Sequence, residues 1–539
     1  MKRSRAVVGM ALAIGLLTTA CATAQPAQRP RESAMSDDVV ATDNGEVRGV
    51  VAADHRSFQG IPYAAPPTGE LRWAAPQPAE SWTDVREATE PGSPCPQVGA
   101  SYADINSTDE DCLFLNVTTP AADADAEPKP VMVWLHGDGA VGSGDLFEAR
   151  RLAAQGDVVV VTVNYRLGTF GGFGLPGLEG SGTFGMLDQR AALEWVQRNA
   201  AAFGGDPDNV TLFGVSYGAT ATTAHLISPG SQGLFHRAIL QSAFPLMDAP
   251  AGALFPGVPA LESFGWTPTE QTQAVGSMVA EELGCPDPES ALACLRELPV
   301  ETLLEHPQAT NLFQAMTYGN EVLPGLPADL LAAGEFADVP VLSGSTKDEH
   351  RTFVGTFRDL IGQPVTAEEY PTLLAEAFGE HAAAVEAEYP LADYDTPSLA
   401  WAAVLTDRMW AMSTLRHNRM FAEAVPTYAF EFADTEAPTE IPFPEDFPPG
   451  AFHSAETSYL FRSEEFEAQL DESQLALSDQ MIRYWTNFAR TGDPNGADLP
   501  TWEPFGTEDH VLSLAPGPDG IAPVDFAAEH RLEFWSTIA

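Results

Sequence analysis

The apolar positions between Val131 and Ser242 change period repeatedly. Val131-Met132-Val133-Trp134-Leu135 is a short apolar run that stops at a Gly-rich turn. Val158 to Val163 is an unbroken apolar and β-branched run, the pattern of a strand buried on both faces. Leu187, Ala191, Ala192, Trp195, Val196 and Ala200 then fall at helical spacing, with Asp188 near the N-terminal turn. Val210 to Phe213 and Ala238 to Leu240 are further strand candidates, separated by a helix-compatible run from Ala219 to Ile227. Val339 to Leu342 and Thr427 to Phe430 follow later. Helix alternating with fully buried strand predicts an α/β fold with a mostly parallel sheet covered on both faces. Residues 366 to 425, rich in Ala, Glu and Leu, predict a helical insertion over the sheet edge, where a pocket cover would sit. No repeat or linker interrupts the chain after Val39, so residues 39–539 are expected to form a single catalytic domain.

The first residues follow a different pattern. Lys2, Arg3 and Arg5 precede an apolar run from Ala6 to Leu17, too short for a spanning helix of about 20 residues. This predicts a signal peptide over residues 1–24. Two exits are open: cleavage after Ala22-Thr23-Ala24, or a lipobox-like Thr18-Thr19-Ala20-Cys21 that would leave Cys21 as a lipid anchor. Residues 25–38 predict a flexible tether. Both exits place the protein outside the cytoplasm, secreted in one case and lipid-anchored at the outer face of the cell membrane in the other. No later stretch is long and apolar enough to predict a transmembrane span.

The charge balance narrows the partners. The 539 residues carry 76 Asp and Glu against 27 Lys and Arg, a net charge of −49. Such a surface repels phosphate backbones and anionic lipid, which excludes nucleic-acid binding. Besides Cys21 there are four cysteines, an even set suited to an oxidising compartment. Four allow three pairings, and proximity along the chain favours Cys95–Cys112 and Cys285–Cys294. The absence of C-x-x-C leaves no zinc or thioredoxin-like motif, and no metal or cofactor is expected.

The chemistry centres on Gly214-Val215-Ser216-Tyr217-Gly218, a G-x-S-x-G between a predicted strand and a predicted helix. That context is a nucleophile elbow, in which a strained turn exposes the serine hydroxyl and glycines let strand and helix approach. A serine needs a general base, an acid to orient that base, and N–H donors for the oxyanion. His136-Gly137-Asp138-Gly139-Ala140 follows the strand ending at Leu135, the place of an HGGG-type oxyanion loop. The remaining partners cannot be singled out by residue type alone, because 76 acidic residues and 11 histidines compete. Most of the other histidines stand beside acidic or turn residues and are expected at the surface.

The chain resembles the type-B carboxylesterase family, α/β-hydrolases that include cholinesterases and bacterial para-nitrobenzyl-type esterases. The resemblance runs from about Val39 to the C-terminus. It rests on Phe58 to Trp73 (FQGIPYAAPPTGELRW), Glu110 to Asn116 (EDCLFLN), Asn164 to Gly168 (NYRLG) and Ala202 to Pro207 (AFGGDP), in that order. His225 to Gly230 (HLISPG), Arg237 to Ser242 (RAILQS), Tyr484 to Ala489 (YWTNFA) and Thr491 to Pro494 (TGDP) complete it.

The resemblance implies an α/β-hydrolase fold and a serine esterase acting on small-molecule esters, as a monomer without cofactor. Glu349, in the run Thr346 to His350, matches the family's acid, and His453, in Phe452 to Glu456, its base. The order Ser216, Glu349, His453 is the order of this fold. Backbone N–H groups of Asp138, Gly139 and Tyr217 are the implied oxyanion donors. Also implied are the two disulfides above and buried ion pairs Arg72–Glu110 and Arg166–Asp188.

Four positions depart from the family's usual residues. Val215 replaces an elbow Glu, Tyr217 an Ala, Asp138 a loop Gly, and His350 the Gly after the acid. The Asp138 side chain is expected to point away from the oxyanion. The loop between Cys95 and Cys112 has Tyr102 as its only aromatic residue and no Trp, which argues against a cholinesterase. A lipase, an amidase or a non-catalytic adhesion-type relative are the alternatives on the same fold. A histidine base predicts activity that falls in acid, below about pH 6.5 for an ordinary imidazole.

Overall fold

A computed structural model describes residues 37–538 except 101–102, 124–126, 255–256, 307–311 and 462–468. The predicted signal peptide, Cys21 and most of the tether lie outside the described residues. Among the described residues eleven strands form the main sheet: β1 (Val50–Val51), β2 (His55–Pro62), β3 (Phe114–Pro120), β4 (Lys129–Leu135), β5 (Val159–Val163), β6 (Gly205–Val215), β7 (Arg237–Gln241), β8 (Val341–Thr346), β9 (Thr427–Phe432), β10 (Val511–Leu514) and β11 (Ile521–Val524). Their spatial order is β11-β10-β9-β8-β7-β6-β4-β5-β3-β2-β1. From β10 across to β5 every neighbouring pair is parallel, and β1, β2, β3 and β11 join antiparallel at the two edges.

The pleat sorts the core into two layers. Val131, Val133, Val210 and Leu212 pack in a cluster with Trp195 and Phe58. Their chain neighbours Met132, Trp134, Phe213 and Val215 pack on the other face with Tyr459 and Trp485, as a period of two demands. The predicted central strands and the helix Phe184–Asn199 stand where the pattern put them, with Leu187, Ala192, Trp195 and Val196 buried. Strand β8 starts later than expected, at Val341, because Pro340 has no N–H to give a ladder.

Three parts carried weaker signals. The antiparallel flank β1–β3 mixes buried polar residues such as Asn116 and Thr119 into its strands, and β2 is bulged between Phe58 and Ile61. Strands β10 and β11 are four residues each. The long helix Glu472–Thr491 starts at a capping box, with Asp471 accepting from the backbone N–H of Gln474 while Gln474 reaches back.

Residues 366–425 form the expected helical insertion: Tyr370–Phe378, Ala382–Glu388, Pro397–Leu405, a π-helical turn Thr406–Ala411, and Met412–Ala422. They build a third cluster, which includes Trp401, Trp410 and Phe244 and reaches Ala429 and Val511 on β9 and β10. Disulfides join Cys95–Cys112 and Cys285–Cys294. Arg72 pairs with Glu110 at 2.6 Å and Arg166 with Asp188 at 2.7 Å. Among the described residues no helix is long and apolar enough to cross a membrane.

Candidate active site

The predicted site residues gather beyond the C-terminal ends of the parallel strands, where ligands bind in open α/β sheets. Ser216 follows β6 directly and precedes the helix Tyr217–Ile227. Its backbone lies at φ 55°, ψ −119°, a strained conformation for a residue with a side chain. The flanking glycines show why the turn is possible. A Cβ on Gly218 would stand 2.0 Å from the Leu135 carbonyl oxygen, and one on Gly214 2.6 Å from the same atom. The Ser216 N–H donates to the Gln241 carbonyl at 2.8 Å, tying the elbow to β7.

The loop after β4 lies against this elbow. A Cβ on Gly137 would be 3.3 Å from the Ser216 Cβ, and one on Gly139 3.0 Å from the Tyr217 ring. Asp138 takes φ 69°, and its Oδ1 accepts from the backbone N–H groups of Ala140 at 2.7 Å and Val141 at 3.1 Å. The carboxylate is thus drawn into its own loop. Tyr217 opens its helix, so its N–H is one of the first-turn donors that have no intrahelical acceptor. His136 anchors the loop from below. It stacks on Tyr165 at 4.4 Å, and the Tyr165 hydroxyl donates to its carbonyl at 2.7 Å. Burial pushes its pKa down to about 4, so it stays neutral.

Glu349 follows β8 and is fully buried. Its Oε1 accepts from the Thr346 N–H at 2.8 Å, and its Oε2 meets His453 Nδ1 in a short hydrogen bond. The loop carrying His453 is zipped onto the acid's loop: the Asp348 N–H donates to the Ala451 carbonyl at 2.9 Å, and the Ala451 N–H to Asp348 Oδ2 at 3.0 Å. His453 Nε2 is buried and has no hydrogen-bond partner among the described residues. The structure therefore joins Glu349 to His453, but not His453 to Ser216 by a hydrogen bond. Such bonds are often long before substrate binds.

Several neighbours of the site have no role assigned by the sequence. Trp410 and Phe353 pack on the His453 ring at centroid distances of 4.6 and 5.2 Å. No periodicity singled them out, because the contacts cross from the helical insertion and from the turn after Glu349. Glu456 is buried one turn beyond His453; its Oε1 accepts from Gln241 Nε2 at 3.2 Å, and Gln241 Oε1 accepts from Trp485 Nε1 at 3.0 Å. Burial, then the charge of Glu349, push the Glu456 pKa up to about 7. Its signal was the last position of the Phe452 to Glu456 run.

The expectation that most other histidines lie at the surface is corrected. His136, His225, His350, His417 and His530 are all buried. Adjacency to polar residues along the chain does not report burial; His225, for example, is held between Ser231 Oγ at 2.8 Å and Gln189 Oε1 at 3.0 Å. Among the described residues no cluster of three or more His, Cys, Asp or Glu is arranged to hold a metal ion.

A mostly parallel sheet with a strained, partly exposed serine after a central strand, a glycine loop against it, and a histidine–carboxylate pair at the same edge defines an α/β-hydrolase. The comparisons narrow this. Residues 36–535 match the model of the carboxylesterase family. The chain is 33% identical to a cocaine esterase of Oryctolagus cuniculus, over 92% of this chain and 94% of that one. It is 31% identical to the para-nitrobenzyl esterase of Bacillus subtilis (strain 168), over 88% and 94%. A solved structure of PNB esterase superposes with a TM-score of 0.72 at 30% identity, covering 93% of this chain and 100% of its own. This chain belongs to the carboxylesterase family and is a carboxylic ester hydrolase.

Proposed function

We propose that the protein hydrolyses small carboxylic esters through an acyl-enzyme on Ser216, with His453 as general base and Glu349 as its orienting acid. The observation that carries this is the pairing of a half-exposed serine in a strained elbow with a histidine whose Nδ1 is taken by a buried carboxylate while Nε2 is left unpartnered. His453 Nε2 accepts the Ser216 hydroxyl proton as the oxygen attacks the ester carbonyl. The bond to the carbonyl carbon forms and the π pair moves onto oxygen. N–H groups of Asp138, Gly139 and Tyr217 receive that oxyanion; losing one such donor typically costs about 2.7–4 kcal/mol. Glu349 holds the Nδ1–H tautomer and stabilises the imidazolium. His453 then protonates the leaving alcohol, and water repeats the sequence on the acyl-enzyme.

The cocaine and para-nitrobenzyl esters in the names of relatives support small-molecule esters as substrates. The basic-then-apolar N-terminus, with the two disulfides, supports an exported protein, secreted or anchored through Cys21. A fluorophosphonate probe tests the site. Stoichiometric labelling that disappears in Ser216→Ala, with hydrolysis of short nitrophenyl esters lost in parallel, is the expected result. Turnover that survives Ser216→Ala would overturn it. Esters varied in acyl and alcohol length then separate an esterase from a lipase, and matched amides from an amidase.

A further inference from the structure

The residue after the acid, where the family usually has Gly, is put to use here. His350 sits at φ −80°, ψ −4°, open to any residue, so no glycine is required. Its imidazole is buried, and burial pushes its pKa down to about 3. A neutral imidazole has one acceptor nitrogen and one donor. Nδ1 accepts the indole N–H of Trp410 at 3.1 Å, which leaves the ring proton on Nε2. The backbone N–H of His350 donates to Thr406 Oγ1 at 3.0 Å. Thr406 and Trp410 both belong to the π-helical turn Thr406–Ala411, a rare conformation frequent at functional sites. His350 thus holds that turn at two points. The indole so held lies 4.6 Å from the His453 ring, and Phe353 stacks on it at 5.6 Å and 16°.

We propose that His350 and Trp410 are a positioning pair for the base: His350 fixes the indole, and the indole sets the ring plane of His453 and stabilises its imidazolium. The inference rests on the triad reading above. An aromatic face attracts a cation, more strongly where water is excluded, and gives a neutral ring far less. The benefit therefore appears as Ser216 gives up its proton, in the transition state rather than in substrate binding. The titratable groups facing His453 fit this. Glu349 comes from the loop after β8 and Glu456 from its own turn, both carboxyls, while His350 adds no competing cation. Trp410 and Phe353 are uncharged.

The test compares wild type, His350→Ala, His350→Asn, Trp410→Leu, Trp410→Phe and Ser216→Ala on nitrophenyl acetate across pH. Rates are taken per active site titrated with fluorophosphonate, which removes losses due to folding, and per mole of protein for Ser216→Ala, which has no hydroxyl to label. Trp410→Leu and His350→Ala should each lose roughly tenfold in kcat with little change in KM, and the acid limb of kcat/KM should move to lower pH. His350→Asn, whose amide oxygen can accept the indole N–H in place of Nδ1, should recover most of the lost kcat. Trp410→Phe should fall between wild type and Trp410→Leu. Equal losses in His350→Asn and His350→Ala would overturn the proposal, as would Trp410→Leu with unchanged kcat and acid limb. If Trp410→Leu does not fold, the two His350 variants and Trp410→Phe still decide. Turnover that persists in Ser216→Ala would instead sink the triad reading, independently of the pair.

Discussion

His453 and His530 are both buried against carboxylates, and they differ in a single nitrogen. His453 gives Nδ1 to Glu349 and keeps Nε2 unpartnered. His530 gives Nδ1 to Asp407 and Nε2 to Glu431, each at 2.6 Å. Burial would lower the His530 pKa, but the hydrogen bonds and charges of the two carboxylates outweigh it and push the value up to about 10. His530 therefore stays charged and joins the C-terminal helices to β9 and to the π-helical turn. Tyr389 donates to the same Asp407 at 2.7 Å, and Trp535 Nε1 donates to Tyr389 at 2.7 Å. A histidine with both nitrogens committed has no proton traffic left and is a clamp. One with a nitrogen in reserve, at the same end of the sheet as a partly exposed serine, can take part in the proposed proton transfer. Sequence distance to an acid distinguishes neither, since both pairs are made across about a hundred residues.

The comparison breaks most sharply by exchange of consequences. Replacing His453 with Ala should lower kcat roughly a millionfold with a smaller loss of stability than at His530, since the buried Glu349 gives up one hydrogen bond but keeps the Thr346 N–H; a modest loss of turnover would remove its role as base. Glu349→Gln should cost about 10⁴ in kcat, as expected where the tautomer is no longer held, and steady-state kinetics on a nitrophenyl ester would measure it. His530→Gln should do the opposite. Turnover per titrated active site should hold, while stability falls by about 3–5 kcal/mol, because the buried Glu431 loses its hydrogen-bonded countercharge and Asp407 keeps only Arg531 as a countercharge, at 3.3 Å.

The pH dependence follows from the raised value. Because His530 binds its proton more tightly when folded, its contribution is complete below about pH 6.5 and is lost as pH rises through about 10. Urea titrations across that range should show the slope in wild type and not in His530→Gln. The smallest effect is expected at Glu456. Its folded pKa of about 7 lies above the ordinary 4.5, so the folded state holds that proton longer. Stability should then drift down from about pH 4.5 to 7, and Glu456→Gln should flatten the drift.

Legibility varied with the range of the interaction. Ser216 could be read directly, because an elbow is five consecutive residues between a strand and a helix. The oxyanion loop could be read for the same reason. Glu349 and His453 were reached only through the resemblance, since nothing local separates one carboxylate from 75 others. The central strands were plain because Val159–Val163 is buried on both faces and reads as a continuous apolar run. The antiparallel flank was not, for its strands carry buried Asn and Thr whose partners lie elsewhere. The helix Glu472–Thr491 did carry a signal, in Asp471, Gln474 and the spacing of Leu477, Met481, Trp485 and Phe488. Histidine burial was misjudged because flanking residues say little about which face a side chain turns to.

By itself the sequence determined the class of the fold, the candidate nucleophile and the loop beside it, and, by family likeness, the reaction class. These rest on periodicity and on turns, which are properties of neighbouring residues. Only the tertiary structure decided which histidine keeps a nitrogen unpartnered, that Glu456 is buried near Glu349 and His453, and that His350 holds Trp410 against His453. Burial and through-space hydrogen bonding set those outcomes, and both depend on how distant segments pack rather than on the order in which they are joined.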